Sequence, residues 1–136
     1  MADSTNSPSP KCRILCVDDS PANLGLYVRA LEREGYDVDV AISGAEALAR
    51  LEARDYSLIL LDMELPEIDG YEVARRVRAN PAFADLHIIG VTAHTRRGDG
   101  DKVLAAGCDI YFPKPINLTE LYELVAKCCR KPRSVG

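Results

Sequence analysis

The strongest constraint on the fold comes from a short apolar stretch near the middle of the chain, residues 57–62, with the sequence SLILLD. Four large apolar residues between polar ones are too few for a lone helix and are typical of a strand buried on both faces. Such a strand lies inside a parallel sheet that helices cover on both sides. It ends on Asp62, at the edge where open α/β sheets place their chemistry. Asp62 is therefore the first candidate for a reactive group.

The rest of the chain alternates between strand patterns and helix patterns. Further strand patterns cover residues 12–17, 36–40, 87–92 and 109–113. A helix pattern follows each strand, with N-caps predicted at Ser20, Ser43 and Asn117. Strict alternation over the second strand is typical of a sheet edge with one buried and one solvated face. Five strands alternating with five helices predict a doubly wound α/β domain, and right-handed crossovers favour the strand order 2-1-3-4-5.

The length of the chain, 136 residues, allows one domain with a full core and is too short for two. We expect a disordered leader at 1–10, the domain at 11–130 and a basic tail at 131–136. No apolar run approaches the length of a membrane span, and the start lacks a secretory pattern, so we expect a cytoplasmic protein without a membrane partner. The net charge of −4 argues against nucleic acid as a partner.

Cysteine usage bears on metal binding and on the redox compartment. The five cysteines are Cys12, Cys16, Cys108, Cys128 and Cys129. None has metal-ligand spacing, and the two histidines are separated from any cysteine pair, which excludes a zinc site. The odd number favours buried or half-buried free thiols in a reducing compartment over a disulfide.

In the predicted strand order, the first and third strands are neighbours, and their ends bring Asp18, Asp19 and Asp62 together. Three carboxylates in one crevice repel one another unless one is protonated or a cation is present. Hard oxygen ligands with room for water suit Mg²⁺ better than Ca²⁺ or zinc. Thr92 and Lys114 end the neighbouring strands and reach the same rim. This set suits phosphoryl transfer: the cation and the lysine neutralise oxygens, the threonine donates a hydrogen bond, and one carboxylate attacks phosphorus.

The sequence resembles the receiver domain of two-component response regulators, which has a CheY-like, flavodoxin-like fold. The resemblance covers about residues 11–130 and rests on Asp18-Asp19, Asp62, Thr92-Ala93 and Lys114-Pro115. Each motif alone has an ordinary structural explanation, such as a helix cap, a turn or a loop. The combination of these motifs, all placed at the carboxyl ends of strands, is what makes the resemblance to receiver domains specific.

The resemblance implies that Asp62 accepts a phosphoryl group from the phosphohistidine of a histidine kinase or a histidine phosphotransfer protein. The chain would then be a phosphorylation-activated signalling switch that dephosphorylates itself, and not a multi-turnover enzyme. Thr92 and the Ala93 amide would hold the phosphoryl group, and Lys114 would pair with it. The bond between Lys114 and Pro115 is expected to be cis.

The resemblance also implies a divalent cation, Mg²⁺ or Mn²⁺, beside the phosphoacceptor. Asp19 and Asp62 would bind it directly, joined by the backbone carbonyl of Glu64. Asp18 would act on it through a water molecule. The cation would offset the mutual repulsion of the three carboxylates.

Three further residues have proposed functions around the pocket. Glu64 and His94 follow Asp62 and Thr92 by two positions, at the pocket mouth, and the resemblance implies that they influence hydrolysis of the acyl phosphate. A solvated pair is the alternative. Tyr111 occupies the position of an aromatic residue that turns inward when the threonine moves toward the phosphate. Half-buried packing on an edge strand is the alternative.

Phosphorylation is expected to change the surface of the fourth helix, fifth strand and fifth helix. The phosphodonor is expected to dock on the first helix and the loop after the fifth strand, where Leu24, Val28 and Ile116 are candidate apolar contacts. Because few residues follow the last helix, we expect either a stand-alone receiver or one excised from a hybrid histidine kinase.

Two other functional classes also fit parts of the pattern. A phosphatase of the haloacid dehalogenase type uses an Asp nucleophile after a strand, and Glu64 stands where its second acid is expected. Such enzymes need a substrate cap, however, and have no place for Asp18-Asp19. A flavodoxin-like cofactor binder needs a glycine loop for phosphate after the first strand, which this chain lacks.

Overall fold

The apolar stretch at 57–62 forms the predicted buried strand, which is the third of the sheet, β3 (Leu58–Asp62). In the computed structural model, which describes residues 12–94 and 96–130, all five residues of β3 are buried. Its neighbours are β1 (Arg13–Val17) and β4 (His87–Thr92), and the edges are β2 (Asp37–Ala41) and β5 (Ile110–Pro113). All pairs are parallel, in the order β2-β1-β3-β4-β5, which confirms the predicted topology. The predicted leader at 1–10 and tail at 131–136 lie outside the described residues.

Among the residues that the structure describes, five helices connect the strands or follow the last of them. They are α1 (Pro21–Arg33), α2 (Gly44–Ala53), α3 (Gly70–Arg78), α4 (Asp99–Ala106) and α5 (Leu118–Arg130), with a short 3-10 turn at Pro81–Phe83. The predicted caps are present: the side chains of Ser20, Ser43 and Asn117 each accept a hydrogen bond from a backbone amide three residues on. Within the described ranges, no helix combines the length and the apolar character needed to cross a membrane.

The core consists of two layers, one on each face of the sheet. Alternate residues of β1, β3 and β4 pack against α2, α3 and α4 on one face. The intervening residues of the same strands pack against α1 and α5 on the other face. This double coverage explains why these three strands are almost continuously apolar. It also leaves the carboxyl ends of the strands as an open edge with polar side chains.

The edge strand β2 differs from the predicted alternation of buried and solvated residues. Its last residue is buried, and the other four are all half-buried. Charged side chains cover the face that was expected to be solvated: Arg13 Nε lies 3.0 Å from Asp37 Oδ2, and Arg54 Nη1 lies 2.8 Å from Asp39 Oδ2. Tyr56 donates a 2.6 Å hydrogen bond to Asp39, and burial together with this bond raises its pKa to about 12. Periodicity cannot predict such coverage, because the covering residues come from other elements.

The prediction that all cysteines are free thiols is wrong. Cys12 and Cys129 form a disulfide bond with their Cα atoms 5.6 Å apart, while Cys16, Cys108 and Cys128 are free. The pair is separated by 117 residues, so spacing along the chain carries no information about its proximity. The fold creates the proximity, because Cys12 directly precedes β1, Cys129 lies in the last turn of α5, and both elements belong to one core layer.

We expect the disulfide to contribute measurably to stability. A cross-link that closes so long a loop stabilises a domain typically by about 2–4 kcal/mol, mainly by restricting the unfolded chain. The substitution Cys12→Ser should therefore lower the melting temperature in calorimetry by roughly 10 °C. A reductant should lower the melting temperature of the wild type to the same value.

The matched control is Cys128→Ser, which removes a free thiol next to the disulfide. Its melting temperature should stay within about 3 °C of the wild type, in line with loss of a half-buried sulfur. If Cys12→Ser and the wild type melt together under oxidising conditions, the stabilising role of the bond is refuted.

Candidate functional site

Three carboxylates meet at the carboxyl edge of the sheet. Asp18 and Asp19 follow β1, Asp62 ends β3, and the pairing of Val17 with Leu61 places the two strand ends side by side. One oxygen of each acid lies within 4.8 Å of the others. Asp18 and Asp62 are buried, and Asp19 is exposed. The donor set is hard, anionic and partly open, which fits a small divalent cation such as Mg²⁺.

Asp18 is held in place by two hydrogen bonds from the start of α1. The Ser20 amide donates to its Oδ1 (2.8 Å), and the Asn23 side chain donates to its Oδ2 (3.1 Å). Asn23 is a site residue that the sequence analysis missed. An amide side chain in the first turn of a helix, directly after an acidic pair, is the pattern that could have identified it.

Lys114 forms an ion pair with the candidate reactive group. Its Nζ lies 3.0 Å from Asp62 Oδ1, and the Glu64 amide donates a 2.9 Å hydrogen bond to the same oxygen. The peptide bond between Lys114 and Pro115 is cis, as expected. Lys114 and the Glu64 amide both contact Asp62 Oδ1, and neither contacts Asp62 Oδ2.

Burial and charge act in opposite directions on the two members of this pair. Burial has the largest influence on Asp62 and raises its pKa, against the lowering effect of the Glu64 amide and of Lys114. Burial alone would lower the pKa of the Lys114 ammonium, but the carboxylates of Asp62, Asp18 and Glu64 outweigh it and raise that pKa. The lysine is therefore held in its cationic form beside the acids.

The half-buried Glu64 side chain is bonded to groups at the end of β4 and lies near Lys114. Its Oε2 accepts a 2.7 Å hydrogen bond from the Thr92 hydroxyl, and its Oε1 accepts a 2.9 Å bond from the Ala93 amide. Lys114 Nζ lies 3.7 Å from Oε1. The alternative of a solvated pair with His94 is therefore wrong, because the Glu64 carboxylate is bonded to Thr92 and Ala93. The Glu64 carboxylate takes this position because the Thr92 hydroxyl, the Ala93 amide and the Lys114 ammonium together attract an anion.

The remaining pocket residues lie at the ends of β4 and in β5. Thr92 is fully buried, and its Oγ1 accepts a 3.0 Å hydrogen bond from the His94 amide. The His94 side chain is exposed and lines a groove between α3 and α4. Tyr111 is 37% exposed, and its ring lies so close to Gly100 in α4 that a Cβ atom there would collide with it.

Gly70 allows the start of α3 to lie against the end of β3. A Cβ atom on Gly70, the first residue of α3, would lie 2.5 Å from the backbone oxygen of Asp62 and 2.6 Å from the Met63 Cα. Any side chain would therefore push α3 away from the strand end. Sequence periodicity does not predict this close approach, because it depends on where α3 lies against the end of β3.

The three candidate docking residues differ in exposure. Leu24 is buried in the core against α5 and β1, so its prediction as a contact for a partner is wrong. Val28 and Ile116 are half-buried. A large apolar side chain of α1 that is exposed is Leu26, at 44%. The error arose because α1 has more apolar residues than one buried stripe needs, and composition does not show which of them face the sheet.

Comparison with known proteins identifies the family. A family model described as the response regulator receiver domain matches residues 14–126. The transcriptional regulatory protein TcrA of Mycobacterium tuberculosis is 37% identical over 119 residues, which are 88% of this chain and 46% of TcrA. The signal transduction histidine-protein kinase BarA of Escherichia coli is 34% identical over 114 residues, which are 84% of this chain and 12% of BarA. The chain thus spans less than half the length of these relatives.

Solved structures agree with the sequence relatives. The receiver domain of the sensor histidine kinase PA1611 from Pseudomonas aeruginosa, described with a magnesium ion coordinated in its active-site cleft, has a TM-score of 0.82. It is 32% identical, and the match covers 90% of this chain and all of that one. Because the family model spans nearly the whole described domain, this chain belongs to the response regulator receiver domains of two-component systems.

Proposed function

We propose that Asp62 accepts a phosphoryl group from a phosphohistidine and that this modification sets the state of the switch. Receiver domains are phosphorylated signalling switches that interact with histidine kinases or phosphotransfer proteins. The observation that carries the assignment is the position of Asp62: it is buried, it pairs with Lys114 at 3.0 Å, and Asp18 and Asp19 lie beside it.

The proposed transfer forms a bond between an Asp62 oxygen and phosphorus while the bond between phosphorus and the imidazole nitrogen breaks. The Glu64 amide and Lys114 both hold Oδ1, so we assign the attack to Oδ2. The Thr92 hydroxyl and the Ala93 amide are the neutral donors for the phosphoryl oxygens. The Lys114 ammonium offsets the negative charge of the phosphoryl oxygens. Hydrolysis of the acyl phosphate by water returns Asp62 to its free state.

The three carboxylates fit Mg²⁺, and Mn²⁺ prefers the same kind of donor. We assign direct binding to Asp19, Asp62 and the backbone carbonyl of Glu64. Asp18 would contribute through water, in keeping with the two hydrogen bonds that its oxygens already accept. When bound, the cation supplies positive charge that offsets the phosphoryl oxygens.

The substitution Asp62→Asn tests the phosphoacceptor. The wild type, incubated with acetyl phosphate and Mg²⁺, should gain the mass of one phosphoryl group in intact-protein mass spectrometry. Asp62→Asn should gain none, because an amide is not a nucleophile for phosphorus. Asp101→Asn, an exposed acid in α4, is the control and should be phosphorylated as the wild type is. Equal phosphorylation of Asp62→Asn, or no requirement for a divalent cation, would contradict the assignment.

We also propose that Glu64 and His94 tune the lifetime of the phosphoryl group. Substitution of either residue should change the rate of dephosphorylation by roughly threefold or more, since each lies two residues from a pocket residue and can affect the approach of water. The final yield at saturating donor should change less. The decay of phosphoprotein after donor removal gives the rates, and Glu67→Gln, an exposed acid in the same loop, is the control. Identical lifetimes in wild type and both variants would refute the tuning role.

For the output step, we assign the switch to Thr92 and Tyr111. The Tyr111 ring contacts Gly100 in α4, so an inward turn of this ring would release that contact. The change would then affect the surface formed by α4, β5 and α5. Val28 and Ile116 remain our candidates for apolar contact with the phosphodonor.

The family match is to receivers and gives no support to the haloacid dehalogenase alternative. The receiver module of a hybrid histidine kinase stays the second candidate, because a segment of BarA matches this chain. We place the domain in the cytoplasm, with neither nucleic acid nor a membrane as its partner, in line with its net charge of −4. The disulfide is the observation against that location.

A further inference from the structure

Glu64 occupies the place where the proposed function needs phosphoryl oxygens. Its two carboxylate oxygens accept hydrogen bonds from the Thr92 hydroxyl (2.7 Å) and the Ala93 amide (2.9 Å). Its Oε1 also lies 3.7 Å from Lys114 Nζ. These three donors are the ones assigned to the phosphoryl group, and one carboxylate of the chain itself engages all of them.

The local backbone explains how Glu64 reaches these donors. Its amide is tied to Asp62 Oδ1 by a 2.9 Å hydrogen bond, which fixes the start of the side chain beside the phosphoacceptor. The side chain then spans from the end of β3 to the end of β4. Thr92 is fully buried, so its hydroxyl needs an acceptor within the protein. An ionised carboxylate forms stronger bonds with such donors than a neutral acceptor does.

We propose that Glu64 is an internal occupant of the phosphoryl-oxygen site, and this proposal rests on the assignment of Asp62 as phosphoacceptor. In the unphosphorylated domain, its carboxylate holds Thr92 and Ala93 as a phosphoryl group would hold them. The Glu64 carboxylate and a phosphoryl group cannot both bind these donors. Two anions within hydrogen-bond reach of the same donors repel each other, and the Thr92 hydroxyl has one proton to donate. The Glu64 side chain therefore leaves the site before a phosphoryl group enters.

This exchange has a quantitative consequence for the resting domain. Only molecules with Glu64 outside the site can bind a phosphoryl group, so the apparent affinity falls in proportion to their fraction. If Glu64 occupies the site about nine-tenths of the time, its removal strengthens binding of a phosphoryl analogue roughly tenfold. The effect acts before phosphorylation and is separate from any influence on hydrolysis.

The first experiment examines the resting domain by NMR, without any phosphodonor. The Ala93 amide proton of the wild type should resonate downfield, because it donates to a carboxylate. It should move upfield in Glu64→Ala and also in Glu64→Asp, whose shorter side chain keeps the charge but does not span the distance. Glu67→Gln, which removes a charge from the same loop, should leave the Ala93 amide resonance unchanged. An unchanged Ala93 resonance in Glu64→Ala would overturn the proposal.

The second experiment measures binding of beryllium trifluoride, an analogue of the phosphoryl group, with Mg²⁺ present. Affinity should rise roughly tenfold in Glu64→Ala and rise clearly in Glu64→Asp, with Glu67→Gln unchanged. A rise in Glu64→Ala without one in Glu64→Asp would show that only charge matters and would overturn the proposal. So would equal affinity in all variants. Absence of binding to every variant would instead refute the assignment of Asp62, since the NMR comparison needs no chemistry at that residue.

Discussion

The ion pair between Lys114 and Asp62 is the interaction on which the rest of the site depends. The Asp62 side chain is only 2% exposed, so its carboxylate needs a cationic partner to stay charged beside two other acids. Loss of one member of a fully buried charge pair costs about 3–5 kcal/mol, and less where, as for Lys114, 26% of the side chain stays exposed. The fold provides that partner from the residue that follows β5, a strand two places away from β3 in the sheet.

The sheet topology explains why one edge collects so much chemistry. Parallel strands point their carboxyl ends the same way, so residues far apart in sequence become neighbours without any local motif. Helices on both faces bury the apolar side chains of the central strands, and polar side chains follow where those strands end. The same edge therefore holds anionic groups from β1 and β3 and donors from β4 and from the residue after β5. The proposed nucleophile, cation ligands and phosphoryl donors are thus brought together by one packing arrangement.

Much of this could be predicted from the sequence, because it depends on periodicity and on strand ends. The buried character of 58–62 sets the central strand, and the strand order then follows from handedness. The convergence of Asp18, Asp19 and Asp62 is a consequence of that order. The roles of these residues in phosphoryl transfer came from the resemblance to receivers, and they remain proposals for this chain.

The features that escaped prediction depend on side-chain geometry between distant elements. The Cys12–Cys129 disulfide requires knowing that β1 and α5 share a core layer. The contacts of Glu64 with Thr92, Ala93 and Lys114 require knowing that three donors converge within its reach. Leu24 was misplaced because helical periodicity gives the relative positions of apolar residues but not the orientation of the helix against the sheet.

The proposed function requires that the fold gather Asp18, Asp19 and Asp62 around one divalent cation beside Lys114. The sharpest test is a crystal structure with Mn²⁺, in which the ion is located by its anomalous scattering. We predict one strong peak in contact with carboxylate oxygens of Asp19 and Asp62, absent in crystals of Asp62→Asn. A well-ordered site with no peak at saturating Mn²⁺, or an ion bound elsewhere with Asp62 turned away from the acidic pair, would refute this metal site.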